Sequence, residues 1–381
     1  MNSSLAKETP FYEENPFTIY LTQHIESQNA AAWDELIPHD HPTLKSAFLN
    51  FLEGKVGNHY NPFYLTLYQK ERLVAVVIFF TMKVQYKNMV LYLWGGLGKI
   101  LKFFLPSLFS TTVLFCGSPI PIVTRGFWSI EEEEIKKTIF PVILRAVDKL
   151  KRHLHLKIVC FKELTEQESR ETTSAFRNEG YLRVPHLAQM ILKNQWSSEE
   201  EYLRGLKHRE RNRIQNILKT RDREGIRVTS EDRFPKDQIA PLHSLYCRVW
   251  RRVTYKLEFV SPDFFGELHT ALSPMLKVYC LWKGNELVGF SSALLTPHWV
   301  KGLYLGDDHR KNRKLKVLLN GMYEMIRLGI KEQREIDLGQ TTYEMKKKFG
   351  AKPNPLFLFV QFHGMYKPIG WATRLIRGHN T

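Results

Sequence analysis

Cysteine is scarce in this sequence: four in 381 residues, Cys116, Cys160, Cys247 and Cys280, each among apolar neighbours. No C-x-x-C occurs and no pair has metal-ligand spacing, which argues against a redox motif or a zinc site. The four read as small buried hydrophobes of a reducing compartment. H-E-x-x-H, G-x-S-x-G and a P-loop are also missing, so nothing points to a zinc peptidase, a serine hydrolase of that type or a P-loop nucleotide hydrolase. His39 and His41 form H-D-H, which has metal-binding chemistry but reads as an isolated exposed loop, so no metal is expected. Nor is there an uninterrupted run of about 20 apolar residues. The most apolar region, Met89 to Gly117, is broken by Lys99, Lys102 and Pro106 and by Gly95, Gly96 and Gly98. The start, Met1-Asn2-Ser3-Ser4, lacks a basic region leading into an apolar core, so a signal peptide is not expected. A cytoplasmic protein is the expectation. Ile100 to Leu108 reads as a lid or core segment, or as a stretch resting on a membrane, which would make the protein peripheral to the inner face of that membrane.

Acids are few: 39 Asp and Glu against 55 Lys and Arg, a net charge of +16. An excess of that size favours anionic partners such as nucleotide phosphates, RNA, phospholipid headgroups or anionic glycans. At 43% hydrophobic and 25% charged residues the chain is globular, and its length suits two domains.

An internal repeat is present. Leu67-Tyr68-Gln69-Lys70-Glu71-Arg72-Leu73-Val74-Ala75 matches Leu281-Trp282-Lys283-Gly284-Asn285-Glu286-Leu287-Val288-Gly289 in pattern. Both read as strand, polar turn, strand. Downstream, helical periodicity over Ile135 to Leu150 and a strand over Leu156 to Phe161 parallel a helix over Leu315 to Leu328 and a strand over Glu335 to Leu338. Further strands follow at Ala188 to Leu192 and Leu356 to Phe362. The order predicts an α/β fold of two similar domains, residues 1–195 and 196–381, each a mixed, mainly antiparallel sheet flanked by helices. Trp196-Ser197-Ser198-Glu199-Glu200-Glu201 reads as the helix start at the boundary.

Three basic clusters stand out: the predicted helix from Glu199 to Gly225, which carries Lys207, Arg209, Arg211 and Arg213; Arg248-Val249-Trp250-Arg251-Arg252; and His309 to Lys316, with Arg310, Arg313, Lys314 and Lys316. Guanidinium and ammonium groups so concentrated suit phosphate. The third cluster precedes a helix start, where free amides add to it.

Leu206-Lys207-His208-Arg209-Glu210-Arg211-Asn212-Arg213, Tyr304-Leu305-Gly306 and the segment from Ile336-Asp337-Leu338-Gly339 to Lys346-Lys347-Lys348-Phe349-Gly350-Ala351 together resemble the GNAT superfamily of N-acetyltransferases. The likeness is to its tandem-domain branch, which holds the Fem-type peptidyltransferases and the acetyltransferases called cellulose-biosynthesis-like. The last segment is similar to that branch's D-x-G-x-x-x-x-x-x-K-x-x-F-G-A. The resemblance implies attack of an amine, or sometimes a hydroxyl, on the carbonyl of an acyl donor, acyl-CoA or aminoacyl-tRNA. The donor is a co-substrate; no permanently bound cofactor is implied. The acceptor would be a small molecule or a cell-envelope or secondary-metabolite precursor, the second domain would be catalytic, and the first would serve structure or acceptor binding. The usual pyrophosphate loop of that superfamily carries glycines. Here the corresponding Asp307 to Lys316 has none, which leaves the donor open.

On this reading Asp307 is a candidate general base, Tyr304 flanks it, and Tyr343 is a candidate proton donor to the leaving group. Lys207, Arg209, Arg211, Arg213, Arg310, Arg313, Lys314 and Lys316 would hold donor phosphates. Trp250, Arg251, Gly306, Gly339, Gln340, Thr341 and Lys346 would line the substrate site, Lys346 holding a phosphate or carboxylate. Two other readings stay open: a non-catalytic accessory protein with degenerate domains, and an RNA-binding protein. A DNA-reading motif is missing.

Overall fold

The computed structural model describes residues 9–56, 60–85, 110–253 and 258–367. Ile100 to Leu108 and most of Met89 to Gly117 lie outside them. The first strands are β1 (Tyr12–Glu14), β2 (Phe17–Thr22), β3 (Asn61–Gln69), β4 (Arg72–Gln85), β5 (Ser110–Cys116), β6 (Phe127–Ser129), β7 (Ile158–Thr165), β8 (Leu182–Pro185) and β9 (Gln189–Leu192). Then come β10 (Ile226–Glu231), β11 (Leu276–Lys283), β12 (Glu286–Leu295), β13 (Trp299–Asp307), β14 (Glu335–Asp337), β15 (Lys352–Asn354) and β16 (Leu356–Phe362).

The repeat read in the sequence is a repeat in space. The hairpin β3–β4 turns at Lys70 and the hairpin β11–β12 at Gly284, both with positive φ (55° and 58°). A register irregularity falls at Leu67/Tyr68 in one and at Leu281/Trp282 in the other, the same place in each copy. A bulge is a specific backbone solution, so its recurrence marks a duplicated unit and not two unrelated hairpins. In each half the hairpin continues antiparallel into a third strand, β5 or β13. That strand then pairs parallel with one beyond a long helix, β5 with β7 and β13 with β14. The helices are Glu133–His153 in the first half and Val317–Lys331 in the second.

The two sheets exchange strands. The first runs β1-β2-β3-β4-β5-β7-β16-β8, with β6 against β4, so the last strand among the described residues lies inside the sheet built from the chain's first half. The second runs β10-β11-β12-β13-β14-β9-β15, and β9 comes from the first half. On β16, Phe359 is buried and stacks on Phe176, ring centroids 3.9 Å apart and 10° from parallel. The halves also share an apolar core, in which Phe48, Tyr60 and Phe80 pack with Phe234, Phe264, Phe265 and Tyr304. The fold is therefore α/β, with two mixed, mainly antiparallel sheets and their helices stitched to one another.

The basic helix is two pieces, Glu199–Gly205 and His208–Arg223. Ser198 caps the first, its side chain accepting from the Glu201 N–H at 3.2 Å. The chain breaks at Leu206 and Lys207 because Leu206 drops into the core and Lys207 takes a non-helical ψ of 148°. The basic stretch after β13 also differs from an open loop: His309–Leu315 forms a short helix. Without glycine it has no cheap access to left-handed backbone until Lys316, which adopts φ 53° immediately before the next helix.

Candidate functional site

Two motif segments far apart in the sequence meet. The Tyr202 hydroxyl donates to the Phe349 carbonyl at 2.9 Å. A Cβ on Gly350, where φ is +83°, would lie 3.0 Å from Leu206. The F-G-A turn thus sits on the hinge from which the basic helix departs. Upstream of it, Asp337 closes β14, 2% exposed. It accepts from Gln189 Nε2 at 2.6 Å and from the Gly339 N–H at 2.7 Å. Gly339 needs its freedom, with φ +74°. Burial raises the Asp337 carboxyl above the usual range, against the pull of Lys301 and Lys346. Lys346, 3% exposed, donates to the Gln340 carbonyl. Burial lowers its ammonium to about 8, with Asp337 opposing. An enclosed lysine poised near neutrality is a common device at reaction centres. Gln340 Nε2 donates to the Leu187 carbonyl at 2.9 Å, and Thr341, exposed with φ 64°, completes the turn. Tyr343 begins the next short helix and packs against the core of the second half.

At the end of β13 two aspartates meet two arginines one helical turn apart. Asp307 pairs with Arg252 and Asp308 with Arg248, both arginines on the helix Ile239–Arg252. Asp307 is 0% exposed, and its Oδ2 is buried without a partner among the described residues. Its carboxylate is thus already engaged by a guanidinium. Gly306 is where this helix touches the strand: a Cβ there would stand 2.4 Å from the Phe290 ring and 2.9 Å from the Leu245 backbone. Trp250 donates from Nε1 to the Glu258 carbonyl at 2.6 Å, and Arg251 is exposed.

The basic clusters divide once their partners are known. Lys316 Nζ turns inward to Asn216 Oδ1 at 2.7 Å and Thr220 Oγ1 at 2.9 Å, and burial lowers its ammonium. Lys314 pairs with Glu224 at 3.3 Å, and Arg211 Nη1 reaches the Arg204 carbonyl at 3.5 Å. The Arg313 side chain lies outside what is described. Among the described residues Lys207, Arg209, Arg213 and Arg310 form no ion pair, and the start of the helix His208–Arg223 has no side-chain cap.

A third cluster, between the halves, escapes sequence reasoning. Lys162 and Glu163 on β7 are 3% and 5% exposed and pair at 3.3 Å. Lys162 also donates to the Ser118 carbonyl at 2.6 Å, and Glu163 accepts from the Thr124 N–H at 3.3 Å. Glu163 has a left-handed backbone, φ 64°, uncommon for a residue with a side chain. Burial raises its carboxyl. From the second half, burial pushes the Glu258 carboxyl up to about 8, with Lys162 lowering and Glu163 raising it. Tyr304, 4% exposed, has no hydrogen-bond partner for its hydroxyl among the described residues. Burial and the nearby Glu258 hold its phenol well above the ordinary value. In sequence Lys162, Glu163 and Glu258 look like any surface charges; charged residues inside apolar strands such as Ile158–Thr165 were the signal that could have found the first two.

The H-D-H residues part company. His41 contacts Thr124 Oγ1 at 2.9 Å, and burial drives it to about 3, neutral. Asp40 bridges to the second half, accepting from Thr296 Oγ1 at 2.6 Å and the His298 N–H at 3.0 Å. Among the described residues no three metal-binding side chains converge, and no helix is long and apolar enough to cross a membrane.

A family model named FemAB-like and described as peptidoglycan biosynthesis/recognition matches residues 24–335. No curated protein sequence gives a significant match. Among solved structures, FemX is similar at TM-score 0.51 and 11% identity, over 82% of this chain and 90% of that one. A tandem GNAT protein from the clavulanic acid biosynthesis pathway gives 0.50 and 9%, over 91% and 99%. The L-PGS of Bacillus licheniformis gives 0.50 and 14%, over 86% and 95%. Identities this low establish the tandem GNAT fold and nothing finer.

Proposed function

Since the chain belongs to the FemAB-like family, we propose that it is an acyltransferase of the cell envelope or of secondary metabolism. It carries an acyl or aminoacyl group from acyl-CoA or aminoacyl-tRNA to an amine, or a hydroxyl, of a precursor. The observation that carries this reading is the enclosed Lys346 in the D-x-G to F-G-A turn, docked against the hinge of a helix whose leading Lys207, Arg209 and Arg213 form no ion pair among the described residues. Lys207, Arg209, Arg213 and Arg310 would take the donor's phosphates. Lys346 would polarise the donor carbonyl and hold the charge that develops on its oxygen. Gly339, Gln340 and Thr341 would shape that pocket, and Asp307, held by Arg252, would fix the end of β13.

Aminoacyl-tRNA is the favoured donor of the two. Lys316 is turned inward onto Asn216 and Thr220, which takes a cation away from a compact pyrophosphate in the glycine-free stretch. The net charge of +16 suits an extended polyanion. Such a protein would act in the cytoplasm, peripheral to the membrane when its acceptor is lipid-linked.

Thermal melting tests this. Charged tRNA should raise the melting temperature, coenzyme A little or not at all, and Lys346→Ala should lower transfer by about 10²-fold or more while leaving tRNA binding intact. Stabilisation by coenzyme A alone would reverse the donor assignment. If neither ligand shifts the melting temperature and Lys346→Ala leaves the cellular phenotype intact, the enzyme reading falls and an accessory role takes its place.

A further inference from the structure

The H-D-H turn of the first half and the cavity beside it are parts of the molecule for which the transfer chemistry has no use. Asp40 is tied to the second half. Its carboxylate accepts from Thr296 Oγ1 at 2.6 Å and from the His298 N–H at 3.0 Å, and the Lys301 ammonium donates to its backbone carbonyl at 2.7 Å. Next to this tie a cavity of about 360 Å³ opens between the halves. Pro42 and Lys45 line it from the first half, and Met275, Leu295, Pro297 and Arg334 from the second. That volume falls within the range of small-molecule pockets, ~300–1,000 Å³.

The walls are of two kinds. Pro42, Met275, Leu295 and Pro297 offer an apolar surface, and Arg334 and Lys45 offer positive charge. Arg334 is half-buried, and its Nε is enclosed without a hydrogen-bond partner among the described residues. Lys45 Nζ donates to the Asp34 and Ile37 carbonyls, which occupies two of its three N–H donors and leaves its charge unmatched. The Asp34 carboxylate is itself engaged, by the Ser46 N–H at 2.7 Å and the Ser46 hydroxyl at 2.9 Å. Among the described residues no Asp or Glu lines the cavity. An enclosed guanidinium N–H without an acceptor costs free energy that a bound acceptor would recover. Guanidinium also presents parallel N–H donors that match carboxylate or phosphate oxygens.

We infer that this cavity binds an oxyanion carried on an apolar body, a carboxylate or a phosphate monoester. The charged head sits on Arg334 and Lys45, and the body lies against Met275, Leu295 and the two prolines. The site is remote from the end of β13 that carries the aspartate–arginine pairs. Arg334 precedes β14 at the end where β13 begins, since Trp299 pairs with Glu335, whereas Asp307 is the last residue of β13. From Trp299 to Asp307 is roughly 25 Å of extended chain. The site therefore stands whether or not the transferase reading does. Because both halves line it, an occupant adds to the Asp40 tie and holds the halves together.

Isothermal titration of the full chain at pH 7 tests this with n-octanoate, n-octyl phosphate, n-octanol and inorganic phosphate. One of the two amphipathic anions should bind about tenfold or more tightly than octanol and than inorganic phosphate, and it should raise the melting temperature. Tighter octanoate assigns a carboxylate head, and tighter octyl phosphate a phosphate monoester. Arg334→Gln should weaken that anion about tenfold or more. Arg177→Gln, which removes the same charge from an exposed position on the helix Glu166–Asn178, should leave binding unchanged. Octanol or inorganic phosphate binding as tightly as both anions, or the two variants weakening them alike, would overturn the site. The comparison of probes needs only the unaltered chain, so it decides even where a variant fails to fold.

Discussion

Replacing Glu258 by glutamine should make the protein more stable, and only above acidic pH. The carboxyl has its ordinary value of 4.5 in the unfolded chain and about 8 in the folded one, raised first by burial. Its folded value lies above its unfolded value, so the folded state holds a proton that the unfolded state has released. Stability therefore falls as pH rises from 4.5 toward 8. Each pH unit of that interval is worth roughly 1.4 kcal/mol, about 5 kcal/mol for a wholly dry group. The residue as a whole is only half-buried, and water reduces the figure to ~2–3 kcal/mol. Glutamine keeps the shape and the acceptor oxygen that bonds the residue's own backbone N–H, and it cannot ionise. Urea unfolding of both proteins at pH 4 and pH 8 should give equal stability at pH 4 and a gain of ~2–3 kcal/mol for Glu258→Gln at pH 8. A gain independent of pH, or a loss at pH 8, would refute the raised value of this carboxyl in the folded chain.

Two other changes probe the scaffold. Phe359→Ala removes the ring stacked on Phe176 inside the first sheet and should cost ~3–5 kcal/mol; urea unfolding by circular dichroism and by tryptophan fluorescence should show one shared, earlier transition, whereas a cost under ~1 kcal/mol would show that β16 is dispensable to the first half. Gly306→Ala places a methyl against the Phe290 ring and the Leu245 backbone; it should cost ~1–3 kcal/mol and loosen the Asp307–Arg252 contact, read as a lower melting temperature, and an unchanged melting temperature would show the helix free to move.

Much of the architecture is written in local pattern. The duplicated hairpins at Leu67 and Leu281 are visible because strand, polar turn and strand leave a mark within nine residues, and the structure places the same bulge in both. The D-x-G to F-G-A segment is legible for the same reason: Gly339 and Gly350 are needed by backbone angles that few other residues adopt. The burial of Lys346 is not legible, since a lysine in K-K-K looks solvated until the turn folds over it.

The sequence by itself determined the alternation of elements, the duplication, the positive charge and the family segment, because each depends on neighbours along the chain. Tertiary structure alone decided three things. It sent β16 back into the first sheet and β9 into the second, a choice set by long-range edge pairing. It sorted the cations, turning Lys316 and Lys314 toward Asn216 and Glu224 while leaving Lys207, Arg209, Arg213 and Arg310 without ion pairs among the described residues. And it enclosed Lys162 and Glu163 and paired them at 3.3 Å. A charge's chemistry depends on how much water and which opposite charge surround it, and neither is a property of its place in the sequence.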